Sequence, residues 1–240
     1  MKTAFGITLL LFSFAASAVD PVKPLLDTDV DIFDTDSVRR GAGFFANYCM
    51  GCHSAKQIRY SRIAKDLELS EDTMRREFMF GNVKIHDYLE TAMSKEDGEN
   101  AFGVAPPDLS LVVRAKGGDW VYSYLKGFYT DPKRPFGVNN LVSPDVAMPN
   151  VLWELQGTQE PVIKKINGAD AVIDVRLVKK GEMPPKEFDQ ALTDIVNFLA
   201  YVSEPSKLQR LPLGKYVILF LVVLAVIMYR LKKEYWKNIH

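Results

Sequence analysis

NYCMGCHSAKQIRY, residues 47–60, holds the only two cysteines of the 240-residue chain, Cys49 and Cys52, and sets His53, one of three histidines, directly after the second. A Cys-x-x-Cys pair serves as a redox dithiol, as half of a zinc site or as an attachment point for haem, and the residues around it decide among these uses. Zinc asks for four ligands. No second cysteine pair exists, and His86 would have to join His53 in an unusual arrangement. A dithiol of the thioredoxin kind belongs near a strand-to-helix turn in a β-α-β pattern, which this stretch does not show. Covalent haem accounts for all three residues at once: each thiol adds to one vinyl group, and the tether places His53 to ligate the iron.

The two ends of the chain point to an exported, anchored protein. Lys2, an apolar run from Ala4 to Phe14 and the small-x-small sequence Ala16-Ser17-Ala18 read as a secretory leader over residues 1–18. At the other end, Tyr216 to Tyr229 is a 14-residue run without charge, and Leu211 to Tyr229 is 19 residues containing only Lys215. At about 1.5 Å per residue that length approaches the roughly 30 Å of a bilayer's hydrocarbon, and Lys215 can snorkel to the interface. Arg230, Lys232, Lys233 and Lys237 follow, with Tyr229, Tyr235 and Trp236 as interfacial aromatics. The positive-inside rule then puts the C-terminus in the cytoplasm. The expected organisation is a leader over 1–18, a haem domain over 19–212, a transmembrane anchor over 213–230 and a basic tail over 231–240.

Lysine plus arginine equal aspartate plus glutamate at 30 each, which gives no argument for nucleic acid. Residues 19–212 alone hold 24 basic and 29 acidic residues, a formal charge of about −5. Such a head attracts basic partners at low salt, although a charge of this size also serves solubility alone. The densest acidic run, Asp27, Asp29, Asp31, Asp34 and Asp36, reads as a solvated N-terminal segment.

Apolar periodicity places one helix on each side of the haem motif. Asp36 or Ser37 is the expected cap of an early helix, with Val38, Phe44, Phe45 and Tyr48 on its apolar side. Phe188, Leu192, Ile195, Val196, Leu199 and Val202 recur at helical spacing in a late one, which Pro205 ends. VIKKINGADAVIDVRLV, residues 162–178, reads as a hairpin about Asn167-Gly168. Residues 92–110 and 128–150, rich in Gly, Pro, Asn and Asp, read as loops around a pocket. The fold class is therefore mainly α: a cytochrome c-like haem domain with loop insertions and a small β-hairpin, plus one C-terminal transmembrane helix.

An electron-carrying haem is served by a sixth ligand, and a thioether opposite an imidazole raises the potential. Of eight methionines, two stand before proline in loop contexts, Met148 and Met183. His86 is a third option, more ordinary as a surface residue. Spacing does not choose between the methionines.

RRGAGFFANYCMGCHS, then APPDLSLVVRAKGGDWVYSYLKGFY, then DVAMPNVL, then DIVNFLAYVSEP running into an apolar anchor with a basic tail, together resemble the cytochrome c1 family, the haem subunit of the cytochrome bc1 complex, in its bacterial type. The resemblance covers essentially the whole mature chain. It implies haem c on Cys49 and Cys52, His53 and Met148 as the iron ligands, Pro106 and Pro107 packed near the haem, and Arg114 or Lys116 as partner of a propionate. Family members often carry arginine at both of these last positions, and Lys116 departs from that. The disulfide of some relatives has no cysteine left to form it. The implied role is a relay: one electron from the Rieske iron–sulfur protein passes to a cytochrome c, beside cytochrome b, with no substrate bond made or broken by this subunit. The implied place is the bacterial inner membrane, with the haem domain in the periplasm. Other readings of the same motif are a free-standing tethered cytochrome c, a haem enzyme or gas sensor with an open sixth position, and a structural subunit without reversible redox change.

Overall fold

The computed structural model describes residues 25–166 and 168–238. The expected leader lies outside the described residues.

The early helix, α1 (Thr35–Phe44), is capped by Asp34, whose carboxylate accepts the Ser37 N–H at 2.9 Å. The cap thus stands ahead of the expected Asp36 or Ser37, because a capping carboxylate reaches the N–H three residues on. Asp36 instead lies in the first turn, where an acid suits the helix dipole. Ser37 is buried, and its hydroxyl donates to Asp194 at 2.6 Å. α1 continues into a π-helical turn, Phe45–Cys49, closed by Met50 N–H donating to the Phe45 carbonyl at 2.9 Å. A π turn adds a residue to the helical circuit and so re-aims the chain beyond it, here the Cys49 to His53 segment.

The chain then forms β1 (Ala55–Arg59), α2 (Tyr60–Asp66), α3 (Glu71–Glu77), β2 (Tyr88–Leu89), α4 (Lys95–Phe102), α5 (Val112–Lys116) and α6 (Gly118–Lys126). It goes on through β3 (Phe128–Thr130), β4 (Val138–Asn140), α7 (Trp153–Gln156), β5 (Gly157–Ile166), β6 (Ala169–Lys180), α8 (Pro185–Ser203) and α9 (Lys207–Tyr235). Helices dominate, as the fold class requires. Among the described residues three antiparallel two-stranded pairs, β1 with β2, β3 with β4 and β5 with β6, stand where one hairpin was expected. The expected hairpin is the third and the longest, running from the Gly157–Lys180 pair to the Ile166–Ala169 pair.

Two expected loops contain regular structure. Residues 92–110 hold α4, capped by Ser94, which accepts the Asp97 N–H at 3.0 Å, and ended by Gly103 at φ +75°. Residues 128–150 hold β3 and β4. The Gly, Asn and Asp content that suggested loops belongs to the caps and turns of these short elements.

The core forms where α8 meets α1, α5 and α6. All six apolar residues expected on the late helix are buried. At the crossing with α1 a Cβ on Gly41 would overlap the Asp194 carbonyl oxygen and lie 2.9 Å from the Phe198 Cβ, so the backbones approach as only glycine permits. Phe45 and Phe198 rings meet there at 5.3 Å. Asp194, 2% exposed, accepts from Arg40 Nε at 2.7 Å and Arg40 Nη2 at 2.9 Å, so this buried carboxylate is paired.

The acidic N-terminal segment has exposed carboxylates at all five aspartates but a tethered backbone. The N–H groups of Leu26, Thr28 and Asp31 donate to Ser123 Oγ, Asp119 Oδ1 and Asn197 Oδ1 at 2.8, 2.9 and 2.9 Å. Alternation supplies the reason: Leu26, Val30 and Ile32 pack on the core while the acids between them face water.

α9 is the one helix, among the described residues, long and apolar enough to cross a membrane, and none of its residues is buried. Its 29 residues make about 43 Å of helix, more than a bilayer's hydrocarbon requires. It contains the whole of 213–230 and extends beyond at both ends.

Candidate functional site

The Cys49 to His53 segment is set by local hydrogen bonds. Cys52 and His53 N–H both donate to the Cys49 carbonyl, at 3.1 and 2.8 Å, which folds the five residues into one tight turn. Thr91 holds that turn from outside: its hydroxyl donates to the Gly51 carbonyl at 2.9 Å and its N–H to Ser54 Oγ at 3.0 Å.

A second clamp comes from the Pro106 to Ser110 segment. His53 Nδ1 lies 2.8 Å from the Pro107 carbonyl oxygen. A carbonyl only accepts, so Nδ1 carries the proton and Nε2 is the unprotonated nitrogen. Leu109 N–H donates to the Ser54 carbonyl and Lys56 N–H to Asp108 Oδ2, both at 2.8 Å, locking the two segments together. Burial lowers the His53 pKa, against smaller upward pulls from the Pro107 carbonyl and Asp108, and so favours the neutral, ligating imidazole. Burial, with Cys52 beside it, pushes the Cys49 thiol up to about 12.

These residues open on an apolar cavity of about 290 Å³. Cys49, Cys52, His53, Pro106, Pro107 and Met148 all line it. Helix α8 contributes Ile195 and Leu199 to the walls, and α6 contributes Trp120, Val121, Tyr124 and Leu125. Six of the eight residues expected at the site are thus gathered in one cavity, although 95 positions separate His53 from Met148.

The other two stand apart. Arg114 and Lys116 are exposed on α5 and are not part of the lining; the Lys116 ammonium lies 5.4 Å from the centre of the Trp120 ring. Met183 packs partly buried against the core and is not in the cavity wall, so the fold separates the two methionines that spacing left level. His86 is exposed. Among the described residues no three His, Cys, Asp or Glu side chains converge on a metal-sized site.

The loop carrying Met148 is shaped by two buried asparagines that sequence reading passed over. Asn139 Oδ1 accepts the Asp145 N–H at 2.8 Å, and Asn140 Oδ1 accepts the N–H groups of Val142 and Ser143 at 2.9 and 3.1 Å. Asn140 Nδ2 donates to the Tyr124 carbonyl at 2.7 Å, tying loop to helix. Asp145, at φ +64°, also pairs with Arg134. Tyr124 itself was missed too: its hydroxyl donates to Met148 Sδ at 3.4 Å, and burial pushes its pKa up to about 12. The four-residue spacing of Trp120 and Tyr124 was the available signal, since it puts both rings on one face of α6.

The donor set suits haem. A neutral imidazole with one nitrogen free, a thioether, two thiols in one turn and apolar walls offer what a flat apolar macrocycle with an iron atom requires. The cytochrome C1 family model matches residues 26–239. The chain belongs to the cytochrome c1 family.

Among curated relatives, cytochrome c1 of Allochromatium vinosum is 46% identical over 242 residues, 100% of this chain and 99% of its own. A protein of Nitrosomonas europaea described as an ammonia monooxygenase gamma subunit is 40% identical, over 98% of this chain and 97% of its own. A chain of a hyperthermophilic respiratory Complex III aligns over 92% of this chain and 89% of its own, with a TM-score of 0.44 and 16% identity. As a bacterial-type family member the chain is a haem-bearing electron-transfer subunit of the bc1 respiratory complex. Its apolar α9 is consistent with a membrane anchor for the haem head.

Proposed function

We propose that this subunit takes one electron from the Rieske iron–sulfur protein and passes it to a cytochrome c, at a haem c bound through Cys49 and Cys52 and ligated by His53 and Met148. The observation that carries this reading is the cavity that holds both thiols, the tautomer-defined His53 and Met148 within apolar walls. When bound, the haem supplies a reversible one-electron change at iron.

The chain's own residues do the rest. Cys49 and Cys52 would hold the haem through two thioethers, each S–H having added across a vinyl C=C, sulfur to one carbon and hydrogen to the other, with no net oxidation or reduction. The Pro107 carbonyl holds the His53 ring in the ligating tautomer, as second-shell acceptors do for metal-bound imidazoles. Pro106 and Pro107 form part of the wall. Arg114 and Lys116, exposed on α5 outside the lining, are the cations offered to the haem propionates. The subunit makes or breaks no substrate bond of its own; quinol chemistry belongs to its partners.

The organisation proposed with this role is a leader over 1–18 that is removed, a periplasmic head over 19–212, an inner-membrane anchor over 213–230 beside cytochrome b and lipid, and a cytoplasmic basic tail over 231–240. The run of Arg230, Lys232, Lys233 and Lys237 supports that orientation. The test is extraction from native membranes in mild detergent, followed by addition of a quinol. Rapid haem reduction that depends on co-purifying cytochrome b and Rieske subunits is the expected result. A haem that stays oxidised with quinol yet reduces with a chemical donor would leave a tethered carrier fed from elsewhere.

A further inference from the structure

We infer that Tyr124 is a positioning and tuning residue for the iron ligand: its phenol donates a hydrogen bond to Met148 Sδ that orients the thioether and biases the haem toward its reduced form. The inference rests on the reading of Met148 as the ligand.

The geometry has three parts. First, the hydroxyl reaches Met148 Sδ at 3.4 Å, its one hydrogen-bond partner among the described residues. A thioether sulfur has two lone pairs, so one remains to accept this bond when the other is directed at a metal. Second, the ring is braced on both sides. It stacks on Trp120 at 5.1 Å and 11°, and meets Phe128 edge-on at 5.4 Å. Third, Tyr124 grips the methionine loop again through its main chain: its carbonyl accepts from Asn140, whose side chain in turn holds the Val142 and Ser143 N–H groups. One residue of α6 therefore sets both the path of the loop and the orientation of the sulfur it carries.

A hydroxyl set into an apolar wall is costly unless it has a partner, and a phenylalanine would pack the same space without that cost. Donation to sulfur withdraws electron density from it. The thioether then becomes a weaker donor to iron, which disfavours the more positive, oxidised state. The bond is a modest one, so the effect is a fine adjustment of a potential whose range the imidazole and thioether set.

The test compares the full-length haem-loaded protein with Tyr124→Phe, Met148→Leu and Tyr201→Phe, the last removing a buried hydroxyl bonded to Asp66 away from the cavity. Each is titrated for potential, and the near-infrared sulfur-to-iron charge-transfer band of its oxidised form is recorded. The expected result is that Tyr124→Phe keeps covalent haem and a displaced band, while its reduced-to-oxidised ratio at fixed solution potential falls, by at most about tenfold. Tyr201→Phe should leave both readouts where they were. A Tyr124→Phe titration that coincides with wild type overturns the inference. Persistence of the band in Met148→Leu would instead overturn the ligand assignment, so the two failures are told apart. If Tyr124→Phe does not accumulate, the iron–sulfur stretch of the wild-type protein in D₂O decides: a shift on deuterating the hydroxyl supports the bond, and an unchanged stretch counts against it.

Discussion

The segment around His53 and the loop around Met148 line the same cavity but are held in place in different ways. The first is built mainly from neighbours. Cys49, Cys52 and His53 lie within five positions, and the Cys49 carbonyl closes the turn on itself. The second is held from a distance. Its shape depends on two buried asparagine side chains, and its sulfur on a tyrosine 24 positions earlier. A ligand fixed by a short covalent motif tolerates loose surroundings; one delivered by a loop depends on every bond that shapes the loop.

That contrast can be broken most severely at the thiols. Replacing both Cys49 and Cys52 by serine should abolish covalent haem, read as loss of the haem-stained band on a denaturing gel. A stained band that survives would mean the motif is not the attachment. Met148→Leu should keep the stained band yet open the reduced iron to carbon monoxide and lower the potential, because a five-coordinate iron remains. Met183→Leu should do neither, since that side chain packs outside the cavity; the reverse pattern would reassign the ligand.

A subtler change probes the loop without touching a ligand. Asn140→Ala leaves the Val142 and Ser143 N–H groups and the Tyr124 carbonyl without their partner, a loss of about 2 to 4 kcal/mol. Denaturant unfolding should show that loss, together with partial carbon monoxide binding in the folded protein. Loss of stability with the iron still closed would show that the loop's placement does not depend on Asn140.

Much of the fold was legible in the sequence for a definite reason. Both flanking helices announce themselves because burial repeats at helical spacing, and Phe188 through Val202 keep that spacing for four turns. α4 was obscured although Ser94-x-x-Asp97 marks its cap, because the Gly and Pro around it carry a stronger loop signal. Asn139 and Asn140 read as turn residues, which they are, but nothing local says that their side chains are buried and template the loop after them. The displaced cap at Asp34 has the same origin: three acids stand close together in Asp31 to Asp36, and only the path of the backbone selects among them.

The sequence by itself determined what depends on neighbours along the chain: the thiol and imidazole turn, the amphipathic α1 and α8, and the charge-free run from Tyr216 to Tyr229 within α9. Tertiary structure alone decided what depends on neighbours in space. It separated Met148 from Met183, left Arg114 and Lys116 in solvent, aimed the Pro107 carbonyl at His53 and set the Tyr124 hydroxyl on the methionine sulfur. The physical reason is range. A covalent spacing or a helical period is complete within a few residues, whereas a hydrogen bond between positions 53 and 107, or 124 and 148, exists only after the chain between them has folded.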